Sequence, residues 1–449
     1  MLKSGNLKFY KTFFLLMLPM ALKELIASLV NLVDTIMVGQ LGESAIAAVG
    51  IGNQVFFLFT VFLFGIGSGA GVFSSQFWGN SDIQQMRKIL GLNLLLGTLL
   101  SAVFVAVAWI FPAQIFHAFQ ADAQTLSQGV RYLRIVSIGY LATAVTSAFD
   151  YSVCASERAG LPFLVRAIGL VINIFLNWLL IFGKLGAPAY GLIGAAYATV
   201  IARFSELFIM ISVIYSKKMI QAAKLKELIS IPKSLWVRFF QTSTPVIVNE
   251  IMWSFGILTY SWVFARIDPG AMVVITIVQN IERLMLVFFH GGGNAGGILI
   301  GKAVGAGKFE DAFVYAKRLT KLTVITGVLF ATAFIAARPL MLIPYEISPA
   351  VYQECMNLLI ILAVMLSIKA LTFLLIVGVF RNGGDTRAAM LIDVTSVWLV
   401  GVPMVILGGL VLRLPLLISY SMMCLEEVVK LIVCIYHFST KKWIKRVVS

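Results

Sequence analysis

Twelve long apolar stretches, separated by short polar joints, occupy nearly the whole chain. They begin near Phe13, Ala45, Ile89, Gln124, Leu161, Gly191, Phe239, Ala271, Leu319, Val351, Thr386 and Pro415. Each runs for roughly 25 to 30 residues, where about 20 suffice to cross the hydrocarbon core, so every one can span with tilt. Inside lipid each backbone polar group must find its partner within the chain, which makes such stretches helices. The pattern predicts an all-α membrane protein with twelve transmembrane helices and no separate soluble domain. A composition of 60% hydrophobic and 12% charged residues fits that class. The first stretch, Phe13 to Val38, is too long for the apolar core of a cleaved signal and lacks a small-residue cleavage site, so it is expected to persist as the first helix.

A net charge of +15 on a soluble chain would point to nucleic acid. Here its distribution speaks to orientation instead. Arg87, Lys88, Arg158, Lys217, Lys218, Lys302, Lys308, Arg381 and Arg387 fall in even-numbered connections, and more lysines lie at the termini. The odd-numbered connections hold only Lys184, Arg266, Arg338 and Arg413. The positive-inside rule then puts both termini in the cytoplasm, as an even helix count requires.

The segment "HGGGNAGGILIGKAVG", His290 to Gly305, resembles a phosphate loop in its glycine spacing. A phosphate loop follows a strand and opens a helix, whereas this segment lies inside an apolar span. No nucleotide partner is expected. Shifting the chain against itself by 226 positions gives the glycines another meaning. Pro19 meets Pro245, Glu24 meets Glu250, Ala45 meets Ala271, and Gly65, Gly67, Gly71 and Gly79 meet Gly291, Gly293, Gly297 and Gly305. The twin, "GIGSGAGVFSSQFWG", lacks the Gly-Lys pair altogether. Small residues at matched positions of two membrane helices predict close helix packing. The chain thus reads as two six-helix lobes related by an internal repeat: 1–216 with helices one to six, a basic interfacial linker at 217–235, and 236–449 with helices seven to twelve.

Cys154, Cys355, Cys424 and Cys434 lie in or at the ends of apolar spans without metal or redox spacing, and the three histidines are dispersed. Neither an H-E-x-x-H nor a nucleophile with its base is present, so no enzyme activity is expected.

"LVNLVDTIMVGQLG" in helix one, "NIFLNWLLIFG" in helix five, "TPVIVNEIMWSFG" in helix seven and "FRNGGDTRAAMLIDVTSVWLVGVP" at helices ten and eleven resemble the multidrug and toxic compound extrusion family of antiporters. The likeness covers nearly the entire chain. It implies export of organic, often cationic and amphipathic, compounds in exchange for inward protons or sodium ions, by a monomer in the cell membrane of a bacterium, with no cofactor beyond the coupling ion. It assigns the first-helix aspartate to Asp34, the fifth-helix polar pair to Asn173 and Asn177, and the seventh-helix acid to Glu250. Asn177 stands where part of the family has a second acid, and Lys369 lies in the tenth helix where some members place one.

A charge at a helix centre costs about 2.5 to 3.5 kcal/mol or more, so each needs a partner or a water-filled cavity. Asp34 lies roughly 30 Å along its helix from the cytoplasmic end. It can bind a proton or, with the oxygens of Asn173 and Asn177 one turn apart, a sodium ion. A quiet structural role is the alternative for all three. Thr199 is a weaker member of the set, since a membrane threonine usually bonds its own backbone. Glu250 and Trp253 share a face on which an acid and an aromatic ring suit a cationic amphiphile. Lys369 and Asp393, on helices joined by a short turn, are expected to pair, either as a switch or as a permanent bridge. Pro19 removes a backbone hydrogen bond fifteen residues before Asp34 and is expected to act as a hinge. The competing function is a lipid-linked oligosaccharide flippase of the same broad superfamily, for which Lys369 and Arg166 would supply positive charge.

Overall fold

The computed structural model describes residues 2–267, 269–345 and 347–448, with side chains at 7–267, 270–345 and 347–448. Its long helices, here numbered in chain order, are α1 (Leu2–Gly39), α2 (Glu43–Gly79), α3 (Ile83–Ile110), α4 (Ala123–Ala155), α5 (Gly160–Phe182) and α6 (Leu192–Ser216). They continue as α7 (Lys233–Ile267), α8 (Pro269–Gly305), α9 (Phe309–Leu342), α10 (Pro349–Arg381) and α11 (Thr386–Val411). Among the described residues these 11 are long and apolar enough to cross a membrane unbroken. The twelfth span, α12, is Leu416–Met423 continued by Leu425–Ser439. It is interrupted by a tight turn in which Glu427 N–H donates to Cys424 O at 3.1 Å, just where Glu426, Glu427 and Lys430 enter the helix.

Local chemistry sets the helix ends. Asp82, Asp122, Ser348 and Asp385 accept backbone N–H bonds from Gln85, Gln124, Val351 and Ala388 at the starts of α3, α4, α10 and α11. Each satisfies a donor that the first turn leaves open. Large apolar side chains on the outer helix faces, among them Leu99, Val171, Phe208, Leu329 and Leu399, are exposed, the arrangement of a chain whose solvent is lipid.

The molecule divides into two compact units, one of residues 22–243 and the other of residues 1–21 with 244–449. The unbroken helix α1 passes from one to the other two residues beyond Pro19. In the first unit α4 packs on α2, α3 and α6, and α5 on α6. The second unit repeats the scheme: α10 packs on α8 and α9, and α11 on α12.

The glycine-rich segment lies wholly within α8, with no strand before it. A Cβ on Gly291 would stand 2.7 Å from the Ala21 backbone nitrogen, and one on Gly378 would stand 2.7 Å from the Gly293 carbonyl. Both contacts are with backbone, which cannot swing aside. The glycines therefore let α8 lie directly on α1 and on α10, the close packing that their matched positions predicted. Facing them, α10 widens into π-helical turns at Leu374–Arg381, and α11 does so at Val397–Gly401 and Leu407–Val411.

The segment after α6 is pinned to the first unit. Its short helix Leu225–Ile229 lies on α3, where a Cβ on Gly91 would run into the Leu228 carbonyl. Arg87 donates from Nη1 to Glu227 Oε1 and from Nε to Ile220 O, both at 2.8 Å. The backbone N–H of Lys224, followed by Arg87, holds the Glu227 carboxyl below the ordinary carboxylate range. Leu225 and Ile229 point outward and are exposed. Gly91→Val should expel the short helix. Tryptic cleavage at Lys217, Lys218, Lys224 and Lys226 in detergent should then rise roughly tenfold, the factor that about 1.4 kcal/mol gives; unchanged cleavage would remove Gly91 from this role.

Candidate functional site

The first unit holds a polar strip along α5. Arg166, Gly169, Asn173 and Asn177 recur at helical spacing and present one face to α1, α4 and α6. At one end Asn177 Nδ2 donates to Asp34 Oδ1 at 2.5 Å and to Asn173 Oδ1 at 3.2 Å. Asn173 and Asn177 are fully buried, and Asp34 is half-buried. Asn177 Oδ1 has no hydrogen-bond partner. A buried amide oxygen in that condition is costly unless something visits it. Arg203 lies close enough for its charge to act on Asp34. Thr199 Oγ1 donates to Ala195 O at 3.0 Å on its own helix, so the structure gives Thr199 a backbone partner rather than Asp34.

Further along the strip, Arg166 Nη1 meets Glu206 Oε2 at 2.8 Å, and Arg203 Nη1 meets the same oxygen at 3.3 Å. Asp150 Oδ2 receives Arg166 and Lys23, each at 3.9 Å. Glu206 fits because Gly169 has no side chain: a Cβ there would overlap the Glu206 carboxylate. Only the Arg203 and Glu206 pair was legible as sequence neighbours. The pairing of Asp150 with Lys23 gave no signal, because the two are distant in the chain.

The second unit is organised around cations. Arg381, buried at the end of the π-helical stretch of α10, donates from Nη2 to Glu250 Oε1 at 2.7 Å. Lys369 Nζ meets Glu282 Oε1 at 2.5 Å. Lys430 Nζ lies 2.9 Å from Asp393 Oδ1, 3.0 Å from Glu427 Oε1 and 3.4 Å from Glu426 Oε1. Asn249 Nδ2 donates to Asp393 Oδ2 at 3.0 Å, and Thr372 Oγ1 to Glu427 Oε2 at 2.8 Å. The Tyr260 hydroxyl donates to Glu426 Oε2. Trp253 is two-fifths exposed at 40%.

One expectation changes here. Lys369 and Asp393 do not pair: Lys369 reaches across to α8, and Asp393 is taken by Lys430 of α12. The reason is that α12 packs against both α10 and α11 and brings its own lysine, whereas sequence adjacency had suggested only the α10–α11 turn. Glu282 is held by Lys369 and not by adjacent Arg283, because neighbouring residues on a helix face different ways. Glu427 is held by Lys430 and Thr372.

The MatE family model matches residues 19–179 and 245–407, one block in each repeat. The chain is 25% identical over 426 residues to an uncharacterized transporter, YisQ, of Bacillus subtilis, spanning 92% of this chain and 90% of that one. It is 23% identical over 434 residues to a probable multidrug resistance protein, NorM, of Thermotoga maritima, spanning 96% and 93%. Its fold matches an outward-facing structure of a multidrug resistance MATE family transporter with a TM-score of 0.86 at 19% identity, covering 96% of both chains.

Removing one partner of a buried ion pair costs about 3 to 5 kcal/mol because the other charge is stranded, while removing both is far milder. Lys369→Met should accordingly lower the melting temperature in detergent more than the double variant Lys369→Met with Glu282→Gln. The opposite ranking would show that the two groups do not depend on one another.

Proposed function

Since the chain belongs to the MatE family, and is therefore a multi-pass membrane transporter, we propose that it is a secondary antiporter exporting organic cations in exchange for an inward sodium ion or proton at Asp34. The single observation that carries this reading is the unpartnered Oδ1 of Asn177, buried beside a carboxylate. One carboxylate with two amide oxygens is a hard, oxygen-only donor set, suited to a small hard cation and offering no ligand to soft metals.

The amide supplies a simple switch. With its NH2 toward Asp34, Asn177 satisfies the carboxylate and leaves Oδ1 idle. Turned over, it would present oxygen beside Asp34, which is repulsive unless a cation or a proton lies between them. Occupancy of Asp34 and the orientation of Asn177 are thus linked. Pro19 lies near the middle of unbroken α1, fifteen residues before Asp34, where a missing hydrogen bond makes bending inexpensive. Ion binding on one arm of α1 can therefore act on the hinge. For the cargo, Glu250 and exposed Trp253 offer charge and an aromatic face to a cationic amphiphile, in competition with Arg381. Arg166 and Lys369, which would have welcomed a pyrophosphate cargo, are both taken up by carboxylates, and that disfavours a flippase.

Asp34→Asn should abolish ion-driven ethidium export from proteoliposomes while the protein still inserts and melts as wild type. Imposing sodium and pH gradients separately identifies the ion. Export at the wild-type rate under either gradient would dismiss Asp34. Pro19→Ala should slow gradient-driven export with Asp34 intact, and an unaltered rate would dismiss the hinge.

A further inference from the structure

The Lys430 cluster does not balance. Asp393, Glu426 and Glu427 crowd one ammonium, and all four side chains are buried. The nearest other cations do not make up the difference, because Lys369 is engaged by Glu282 and Arg381 by Glu250. Among the described residues, five carboxylates therefore face three cations across α7, α8, α10, α11 and α12. Tyr420, Cys424 and Cys434, which also flank these groups, add no positive charge. Unpaired carboxylates in a low-dielectric interior take up protons or cations rather than remain bare.

Hydrogen-bond chemistry says where a proton can go. Asp393 is faced by the Lys430 ammonium and the Asn249 NH2, groups that only donate, so a proton on Asp393 would have nowhere to point. Glu426 differs. Its contact with Lys430 is the longest of the three at 3.4 Å, and its other oxygen meets the Tyr260 hydroxyl, which can accept a hydrogen as well as give one. The place is built for this meeting: a Cβ on Gly401 would overlap both the Tyr260 hydroxyl and the Glu426 carboxylate. Asn249, 1% exposed, holds its NH2 toward Asp393 in this cluster. A metal ion is a poor alternative, since Lys430 already occupies the centre. Among the described residues no group of three or more His, Cys, Asp or Glu side chains is arranged to hold one.

We infer that Glu426 of α12 holds an exchangeable proton, shared with the Tyr260 hydroxyl and distinct from the ion at Asp34. Its proton sits between Glu426 Oε2 and Tyr260 Oη. When it leaves, Lys430 is the charge that stabilises the resulting carboxylate. The role of this proton in transport rests on the antiporter reading above, but its existence does not.

Infrared difference spectra between acid and alkaline pH, recorded on the full chain in lipid nanodiscs, test it. An Asp34→Asn background keeps that carboxyl silent. The parent should show a protonated-carboxyl band that disappears at alkaline pH, is lost in Glu426→Gln and is shifted by Tyr260→Phe. A band that survives Glu426→Gln unchanged overturns the assignment, and so does one indifferent to Tyr260→Phe. The tyrosine variant decides alone if Glu426→Gln does not fold. Wild-type ethidium export that ignores imposed sodium and pH gradients, with the band behaving as expected, supports the proton on Glu426 and overturns the ion-coupled reading of Asp34 instead.

Discussion

A charge embedded in hydrocarbon must have a partner, and most of the helix arrangement answers to that requirement. Arg166 ties α5 to α6 and α4 through Glu206 and Asp150. Lys430 ties α12 to α11 through Asp393, and Arg381 ties α10 to α7 through Glu250. Such bridges add little net stability, because desolvating the ions takes back most of the Coulomb gain. Their effect is on register. An α12 rotated by a quarter turn would strand Lys430 against apolar side chains, an error that costs more than any apolar mismatch.

Close backbone approach is the second condition. Helices in lipid are held by packing rather than by expulsion of water, so contact must be intimate to be worth anything. Gly291 on Ala21 and Gly378 on the Gly293 carbonyl are contacts no larger residue allows. The same device carves polar space: Gly169 makes room for Glu206, and Gly401 for Tyr260 and Glu426. The π-helical turns of α10 serve a related end. They close with Arg381, so the local widening sets the depth from which its guanidinium reaches Glu250.

Helix number, the repeat and the purpose of the glycines were legible in the sequence because each is a periodic or long-range regularity of composition. Asp34 with Asn173 and Asn177 was legible for another reason: the two asparagines share a helix face, and the family resemblance supplied the aspartate. Pairing between distant helices was not. Nothing in the sequence near Lys369 names Glu282, and nothing near Asp150 names Lys23, because a salt bridge in a bundle is fixed by which helices touch and at what depth. The sequence showed opposite charges three or four residues apart, and where the structure agrees, as for Arg203 with Glu206, the pair proves to be one edge of a larger network. The broken α12 was also hidden, since its apolar run continues through the turn at Cys424.

The two repeats share a helix plan and differ in what they bury. In the first unit three cations, Lys23, Arg166 and Arg203, answer Asp150, Glu206 and Asp34, and the surplus polarity is amide. In the second the surplus is carboxylate. An amide oxygen cannot hold a proton at neutral pH but can ligate a cation, whereas a carboxylate can hold a proton, and a lysine beside it repels a metal ion. Duplication of one six-helix plan thus yields two chemically orthogonal environments.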